Sequence, residues 1–365
     1  MKRIRLYGYW NQNLGDDLMA ELLLQRYPEM GFYSDSWQPV PAEPNLESAE
    51  TLQRKYGRIN HLLNILTLYQ RKDFFLNAVK RRCLAECICS VYIGGSIYMQ
   101  DGDPEARALR EEEKLQHGPL FVIGANFGPY REERFRECFE GYFRRCGGVM
   151  FRDRASYDLF SHLGNVGYGP DVVLNLRAEP EPSDGRVLIS VIDLTHRPEL
   201  AAWQEVYEAF VARLCEACLR QGKRPVLVSF CEAQGDGRAA ERILLKLVPK
   251  CRKNTDVLCY RGDTEEIRHA FARAERVIAT RFHAMIQALC YEKPVFAVCY
   301  SEKLTNVLQD LDFGQYCRIP DLQTQDAAEV LNRCALPKGL EAYRRAAERQ
   351  FSRLDAFLQS RPQRG

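Results

Sequence analysis

The sequence predicts an α/β protein of two domains. Short β-branched runs alternate with stretches of helical spacing in both halves of the chain, a pattern typical of parallel sheets covered by helices. The length of 365 residues suits two domains of ordinary size. Residues 177–185 (RAEPEPSDG) have the composition of a linker. The predicted domains are therefore residues 1–178 and 186–335, and a C-terminal helix within residues 336–365 could cross back to the first domain.

The C-terminal half has the more regular pattern. Thr264 is a candidate N-cap, because acidic residues follow it in the first turn of a helical stretch. The predicted strands are 186–193, 224–230, 256–260, 276–279 and 294–298, and the predicted helices are 201–221, 237–248, 264–274 and 282–291.

The N-terminal half has a similar but less regular pattern. Residues 31–84 are expected to form one extended segment followed by helices. Within them, residues 62–79 are amphipathic and flanked by basic side chains, so they could touch a membrane surface. A helix packed on the core with a solvated basic face is the favoured interpretation. The predicted strands are 2–7, 90–93, 120–123 and 149–151, and the predicted helices are 15–26, 105–116, 132–145 and 155–163.

Charge and composition bear on the partners, the location and the cysteine chemistry of the protein. The net charge of +2 gives no global field for nucleic acid, so no nucleic-acid partner is predicted. The first residues lack the apolar core of a signal peptide, and no apolar run approaches the ~20 residues needed to cross a bilayer, so a cytoplasmic protein is expected. Cys215 and Cys218 form a lone CxxC in a helical pattern, and most of the 14 cysteines are interpreted as small buried hydrophobes.

Polar segments follow five predicted strands, at the sheet edge where open α/β folds bind ligands. The first segment contains Asn13, Gly15 and Asp16 at the start of a helix, whose N–H groups could hold an anion. The alternative, favoured for Asp16 and Asp17 taken alone, is that these acids simply complement the helix dipole.

Two further segments are glycine-rich loops. Gly94 and Gly95 follow a buried strand and would allow a ligand or another backbone to approach closely. Asn126 lies in the second loop, between Gly124 and Gly128. Neither loop is a GxGxxG fingerprint or a P-loop, so neither NAD nor ATP is predicted.

The last two segments carry the candidate catalytic cations. Arg152 ends an apolar strand and could bind a carboxylate or phosphate bidentately, or could instead pair with Asp153 or Asp171. His283 lies two residues after Arg281 at a strand-to-helix turn, which favours a functional over a structural histidine. The Tyr-Ser-Glu-Lys run after the next strand could bring Lys303 to the same rim.

Taken in order, these segments resemble the polysaccharide pyruvyl transferase family. The similarity runs from about residue 6 to about residue 312. Two positions depart from the family pattern: Ser96 replaces a third glycine, and Phe282 replaces a leucine. The similar pieces are Asn13-x-Gly15-Asp16, Gly94-Gly95 with Gln100-Asp101, Gly124-x-x-x-Gly128-Pro129, Phe151-Arg152-Asp153 with Ser156, Leu163-Gly164 and Asp171, Arg281-Phe282-His283-Ala284, and Pro294-Val295 with Tyr300-Ser301-Glu302-Lys303.

The resemblance implies a glycosyltransferase-B-like architecture of two Rossmann-like domains facing across a cleft, with the acceptor on the N-terminal and the donor on the C-terminal side. It implies phosphoenolpyruvate as donor and a sugar hydroxyl pair as acceptor. The product would be a pyruvate ketal on a cell-surface polysaccharide or its lipid-linked precursor. The expected location is the cytoplasm, either free or at the inner face of the membrane.

The expected roles combine the resemblance with the chemistry of the residues. His283 would protonate the enol carbon, and Asp16 would accept a hydroxyl proton or orient the sugar. A C–O bond breaks without phosphoryl transfer, so neither a metal nor a cofactor is predicted. The expected substrate-binding residues are Arg152, Arg281, Phe282, Asn13, Gly15, Gly94, Gly95, Asp101, Asn126 and Lys303.

Two other functions fit the same pattern. A sugar-nucleotide glycosyltransferase would use a basic residue and a helix N-terminus to hold a diphosphate. A non-catalytic protein of glycan assembly would be compatible with the departures at Ser96 and Phe282.

Overall fold

The structure, a computed structural model, has two compact units with a parallel sheet in each. The chain separates after Gly169, earlier than the predicted linker, and it passes between the units more than once. Leu68, Arg71 and Pro180, which belong to stretches interpreted above, lie outside the described residues. The structure describes residues 2–67, 69–70, 72–179, 181–195 and 197–361. Of these, unit 1 contains residues 2–11, 19–169 and 349–361, and unit 2 contains residues 12–18 and 170–348.

The first stretch of chain, up to Gly169, alternates strands and helices as the sequence predicts. Its helices start at recognisable caps: Asp103 accepts the Ala106 N–H at 2.8 Å, and Asp153 accepts the Ser156 N–H at 2.8 Å. The elements are β1 (Arg3–Tyr7), α1 (Leu14–Arg26), β2 (Gly31–Ser34), β3 (Leu46–Ser48), α2 (Ala49–Leu66), α3 (Phe74–Ala85), β4 (Cys87–Ile93), α4 (Pro104–Glu112), β5 (Leu120–Ala125), α5 (Glu133–Arg145), β6 (Gly148–Phe151), α6 (Arg154–Phe160) and β7 (Val166–Tyr168).

Residues 31–84 differ from the prediction. Two short strands, β2 and β3, replace the single extended segment, and the amphipathic stretch 62–79 is divided between α2 and α3. The division has a local cause. Asn60 and Asn64 of α2 both donate to the Asp73 carboxylate, at 2.8 and 3.2 Å, which fixes the turn before α3.

The seven strands of unit 1 lie in the order β3-β2-β1-β4-β5-β6-β7, all parallel. An aromatic cluster packs beside β5 and β6. In it, Phe127 lies 4.9 Å from Phe160, ring centre to ring centre, and Phe143 lies 5.5 Å from Phe151. These buried rings fix the positions of the strand ends that carry the polar loops.

Unit 2 has the same alternation. The helix predicted to begin at Thr264 is capped one residue earlier, because the Asp263 side chain accepts the Glu265 N–H at 3.0 Å. The elements are β8 (Arg186–Ser190), α7 (Gln204–Arg220), β9 (Arg224–Ser229), α8 (Asp236–Lys246), α9 (Pro249–Arg252), β10 (Asp256–Cys259), α10 (Thr264–Arg273), β11 (Ala274–Ala279), α11 (Phe282–Cys290), β12 (Val295–Cys299), α12 (Glu302–Asp310), β13 (Tyr316–Arg318), α13 (Ala327–Asn332) and α14 (Leu340–Ala346).

Its six strands are also parallel and lie in the order β10-β9-β8-β11-β12-β13. The chain order reverses between β8 and β11, as it does between β1 and β4 in unit 1. Ligands of open α/β sheets bind beyond the carboxyl ends of the strands at such a reversal. The two parallel α/β sheets confirm the predicted fold class.

The C-terminal segment is an interrupted helix. After α14, a 3₁₀ turn (Ala347–Phe351) leads into α15 (Ser352–Gln359), and the change of unit falls at Arg349. Within unit 1, Asp355 of α15 accepts hydrogen bonds from Arg26 at 2.9 Å and Tyr27 at 2.7 Å. None of the helices among the described residues is both long enough and apolar enough to span a bilayer.

Candidate functional site

The strand-to-helix turn after β11 lies at the reversal of unit 2. Thr280 and Arg281 donate their backbone N–H groups to the Ser190 hydroxyl at 2.8 and 3.0 Å, so the turn is fixed to the end of β8. The Tyr207 hydroxyl donates to the Thr280 side chain at 3.1 Å. These hydrogen bonds fix the strand-to-helix turn, so His283 has a defined position near the start of α11, a largely apolar helix.

His283 packs against Gly15 in the first turn of α1. A methyl group added at Gly15 would lie 1.8 Å from the His283 Nδ1 atom, so a larger residue there would displace the imidazole. Phe282 is buried. Its ring and the imidazole are nearly perpendicular, with 5.1 Å between the ring centres. The imidazole is 12% exposed, and its Nε2 has no hydrogen-bond partner among the described residues. The Asp171 carboxylate is 3.7 Å from Nε2, beyond hydrogen-bond distance.

The loop before α1 is stabilised by its own polar groups. The Asn13 side chain accepts the Gly15 N–H at 3.1 Å, and Leu14 donates its N–H to the Phe230 carbonyl at 3.2 Å. The buried Asp17 accepts the Tyr260 hydroxyl proton at 2.6 Å. Asn13 and Asp17 therefore position the loop, while Asp16 is partly exposed in the same helical turn.

Arg281 does not have the arrangement expected of an anion ligand. Its buried guanidinium donates from Nε to Asp236 at 2.9 Å and from Nη1 to Gln234 at 2.7 Å, and Nη2 pairs with the second Asp236 oxygen. Burial opposes its charge, but the Asp236 carboxylate more than offsets this and holds the pKa of Arg281 above its ordinary value. Three of the five guanidinium N–H groups thus have an acceptor, which gives Arg281 a structural role. Its contact with the donor stays a prediction.

A cationic cluster surrounds Tyr300, directly after β12. Lys303 Nζ lies 5.3 Å from the centre of the Tyr300 ring, and the Arg197 guanidinium lies 4.6 Å from it on the same measure. Burial alone would raise the pKa of Tyr300, but Lys303, Arg281 and Arg197 lower it to about 8. Positive charge at the carboxyl ends of the strands can stabilise a bound anion. The sequence predicted Lys303 in this role but did not single out Tyr300 or Arg197.

In unit 1, three loops meet at Arg152. Its buried guanidinium donates to the Asn126 side chain at 2.8 Å, and the Ser96 hydroxyl donates to the same oxygen at 3.2 Å. A methyl group at Gly95 would lie 2.5 Å from the guanidinium nitrogens, so glycine is required here. Gly94 precedes this contact and donates its N–H to the Ile123 carbonyl at 3.4 Å. The loops after β4, β5 and β6 thus bring together four of the residues predicted to bind substrate.

Asp101 is not part of this cluster. It is exposed and pairs with Arg107 at 2.9 Å and Arg110 at 3.2 Å, both on α4. The neighbouring Gln100 accepts the Arg131 N–H at 2.7 Å and so braces the following loop. The Gln-Asp pair therefore stabilises the surface of unit 1, because its partners lie on α4 and in that loop rather than at the strand ends.

The described residues contain no group of three or more histidine, cysteine or acidic side chains arranged to hold a metal ion. All 14 cysteines are free thiols. Cys215 and Cys218 are buried in α7, and burial raises the pKa of Cys218 to about 12, which suits packing rather than redox chemistry.

Comparison with known proteins agrees with the motif pattern. Residues 13–302 match the family model described as polysaccharide pyruvyl transferase. The amylovoran biosynthesis protein AmsJ of Erwinia amylovora is 23% identical over 244 residues, which span 60% of this chain and 59% of AmsJ. The chain thus covers less than two thirds of that relative.

Solved structures share the fold at low sequence identity. MnaA of S. aureus, in a co-structure with UDP, superposes with a TM-score of 0.54 at 12% identity, covering 98% of this chain and 97% of MnaA. The UDP-GlcNAc 2-epimerase of Methanocaldococcus jannaschii gives a TM-score of 0.52 at 12% identity, covering 98% of this chain and all of that chain. These similarities support the glycosyltransferase-B-like class of the fold.

Proposed function

Because this chain belongs to the polysaccharide pyruvyl transferase family, we propose that it moves a pyruvyl group from phosphoenolpyruvate to two hydroxyls of a sugar. Family membership and the AmsJ relative support a transferase that modifies a polysaccharide. The acceptor would be a polysaccharide or its lipid-linked precursor, and the product a pyruvate ketal. The observation that carries the proposal is His283, fixed at the strand reversal with an Nε2 that forms no hydrogen bond to a described residue and has only the Asp171 carboxylate at 3.7 Å.

In the proposed mechanism His283 acts as the general acid. Its Nε2 proton moves to C3 of phosphoenolpyruvate, which makes C2 electrophilic. The first sugar hydroxyl adds to C2 and loses its proton, and phosphate leaves with cleavage of the C2–O bond. The second hydroxyl then adds to C2, its proton is released, and the ketal closes. Asp16 takes one hydroxyl proton, which returns to His283 through solvent, and the phosphate takes the other, so no metal or redox partner is required.

The remaining residues are assigned by position. Lys303 and Arg197 lie beyond the strand ends of unit 2 and are the proposed ligands for an anionic end of the donor. Asp16, partly exposed in the first turn of α1, is the proposed base for the hydroxyl proton. Arg152 remains the proposed substrate ligand of unit 1, where Asn126 and Gly95 fix its guanidinium.

The test is phosphate release from phosphoenolpyruvate in the presence of a panel of oligosaccharides with hydroxyl pairs. His283→Gln keeps a side chain of similar size and should lower turnover about 10²–10⁴-fold, the usual contribution of a positioned acid. The matched control is His269→Gln, because His269 is 66% exposed on α10 and contacts Glu181. Undiminished turnover by the His283 variant at saturating donor would refute the mechanism.

A thermal-shift titration tests the choice of donor. Phosphoenolpyruvate should stabilise the wild-type protein against unfolding, because a ligand that binds only the folded state raises its stability. Stabilisation by a UDP- or GDP-sugar without stabilisation by phosphoenolpyruvate would instead favour a glycosyltransferase. Binding of phosphoenolpyruvate with no phosphate release across the panel would favour a non-catalytic role in glycan assembly.

A further inference from the structure

The C-terminal end of helix α2 buries polar side chains and exposes apolar ones. Asn60 and Asn64, near its C-terminal end, are buried, with exposed fractions of 3% and 6%. Leu62 and Leu66, on the same turns, are 57% and 70% exposed. A helix on a soluble protein normally buries its leucines and exposes its amides. The end of α2 therefore turns an apolar face outward.

The buried asparagines explain why the helix is held in this orientation. Asn60 accepts the Leu76 N–H at 3.1 Å and Asn64 accepts the Asp73 N–H at 2.9 Å, while both donate to the Asp73 carboxylate. Four hydrogen bonds thus tie α2 to the start of α3. Rotating the helix to bury Leu62 would break all of them and leave buried polar groups unsatisfied.

The inner side of the hairpin formed by α2 and α3 already has its own apolar contacts. Leu52 and Leu76 are buried, and the Tyr56 ring packs edge-on against Phe75 at 5.9 Å. The outer residues are therefore not needed to join the two helices. We call them the apolar face, which consists of Ile59, Leu62, Ile65 and Leu66 of α2 and Tyr69 of the following turn, each at least 47% exposed.

The hairpin that carries the apolar face is rich in basic residues. Residues 49–85 contain eight lysine and arginine residues and two acids, Glu50 and Asp73, whereas the whole chain has a net charge of only +2. The rest of the chain is therefore net acidic, and the basic charge is concentrated on this hairpin. Arg58 and Arg81 are exposed and form no ion pair among the described residues.

We propose that the α2–α3 hairpin docks on an anionic lipid surface, with the apolar face inserted among the lipids and the basic side chains against the head groups. Exposed aliphatic side chains on a basic hairpin are the chemistry that such a surface recognises. A second copy of this chain fits less well, because a symmetric contact would press two strongly positive hairpins together. The inference does not rest on the proposed catalytic activity.

The experiment is co-sedimentation of the full chain with vesicles of phosphatidylcholine alone or mixed with phosphatidylglycerol. The wild type should bind the mixed vesicles, and Leu62→Gln combined with Leu66→Gln should weaken binding at least about tenfold, because two inserted side chains are lost. The matched control is Leu109→Gln with Leu245→Gln, since these leucines are 66% and 69% exposed on α4 and α8. That control should bind like the wild type.

Charge is tested separately. Arg58→Gln with Arg81→Gln should weaken binding at low salt and have a smaller effect at high salt, where screening already removes the attraction. Three results would overturn the proposal: no binding of the wild type to mixed vesicles, equal loss in the Leu109 and Leu245 control, or a dimer in solution that the Leu62 and Leu66 changes convert to monomer. The exposed positions leave folding intact, which circular dichroism can verify.

Discussion

At the scale of single residues, the contact between Gly15 and His283 decides how the imidazole is held. The imidazole occupies the space that a side chain at Gly15 would need, with its Nδ1 edge against the first turn of α1. Asn13 closes the loop before α1 by accepting the Gly15 N–H. The polar segment that the sequence indicated as an anion site therefore contacts His283 directly, while its binding of an anion stays a prediction.

We expect Gly15→Ala to displace the imidazole and to lower turnover about 10²-fold, because errors near 1 Å in a catalytic group cost about that much. Gly141→Ala is the control, since a methyl group there meets no atom within 4 Å and alanine favours the interior of α5. Phosphate release and thermal unfolding should be measured for both variants. Full turnover by Gly15→Ala would show that the imidazole position is not critical.

The sequence predicted which residues lie near the strand ends but not which partners they have. His283 was predicted to lie at a strand end because it follows Arg281 at a strand-to-helix turn, and the structure places it there. The role of Arg281 could not be deduced, because its carboxylate partner Asp236 lies 45 positions away and only the folded sheet brings them together. Asp101 has nearby partners instead, because Arg107 and Arg110 follow it within nine residues of chain, and these pairs could not be told from a substrate contact by residue type alone.

At the scale of elements, the ends of β8, β11 and β12 act together through Tyr300. The loop after β8 supplies Arg197, the turn after β11 supplies Arg281, and the start of α12 supplies Lys303. No one of these segments is strongly basic. The positive charge that lowers the pKa of Tyr300 arises because the sheet brings three separate cations together at the ends of its strands. A donor anion bound to the same cations would oppose ionisation of the phenol.

The Tyr300 phenol should therefore ionise near pH 8 instead of at its ordinary value of 10.0. Because the pKa is lower in the folded state, Tyr300 contributes stability that is fully present above about pH 10 and is lost as the pH falls through 8. The phenolate absorbance of the wild type minus that of Tyr300→Phe measures the midpoint. Lys303→Met should move the midpoint upward, and a wild-type midpoint near 10 would contradict the assignment.

Long elements were predictable and short or unusual ones were not. Buried parallel strands such as β5 have continuous apolar runs that mark them in the sequence. The edge strands β7 and β13 have three residues each, too few for any periodicity. The orientation of α2 was also unpredictable, because hydrophobic periodicity alone favours burial of Leu62 and only the contacts of Asn60 and Asn64 reverse it.

At the scale of the whole molecule, neither unit is a continuous stretch of chain. Unit 2 includes Gln12–Leu18, and the chain returns to unit 1 at Arg349. The sequence indicated a C-terminal helix that could return to the first domain. No local signal showed that residues 12–18 belong to unit 2 although the residues on both sides of them belong to unit 1. Gln350 shows how the return is fixed in unit 1, because it accepts the Gly124 N–H at 2.9 Å and donates to the carbonyls of Phe151 and Gly169.

This single amide joins the C-terminal segment to the ends of β5 and β6 and to the residue after β7, so its loss should weaken unit 1 as a whole. Gln350→Ala would remove the partner of the Gly124 N–H and the Gly169 carbonyl, while the Phe151 carbonyl keeps the Gly169 N–H, and it should lower the free energy of unfolding by about 2–4 kcal/mol. Gln359→Ala, at an exposed glutamine in the same segment, should change it little. Urea unfolding followed by tryptophan fluorescence and circular dichroism measures both. Equal stabilities of the two variants would mean that the C-terminal segment does not contribute to the stability of unit 1. The expected difference would show that residues 349–361 are a structural part of that unit.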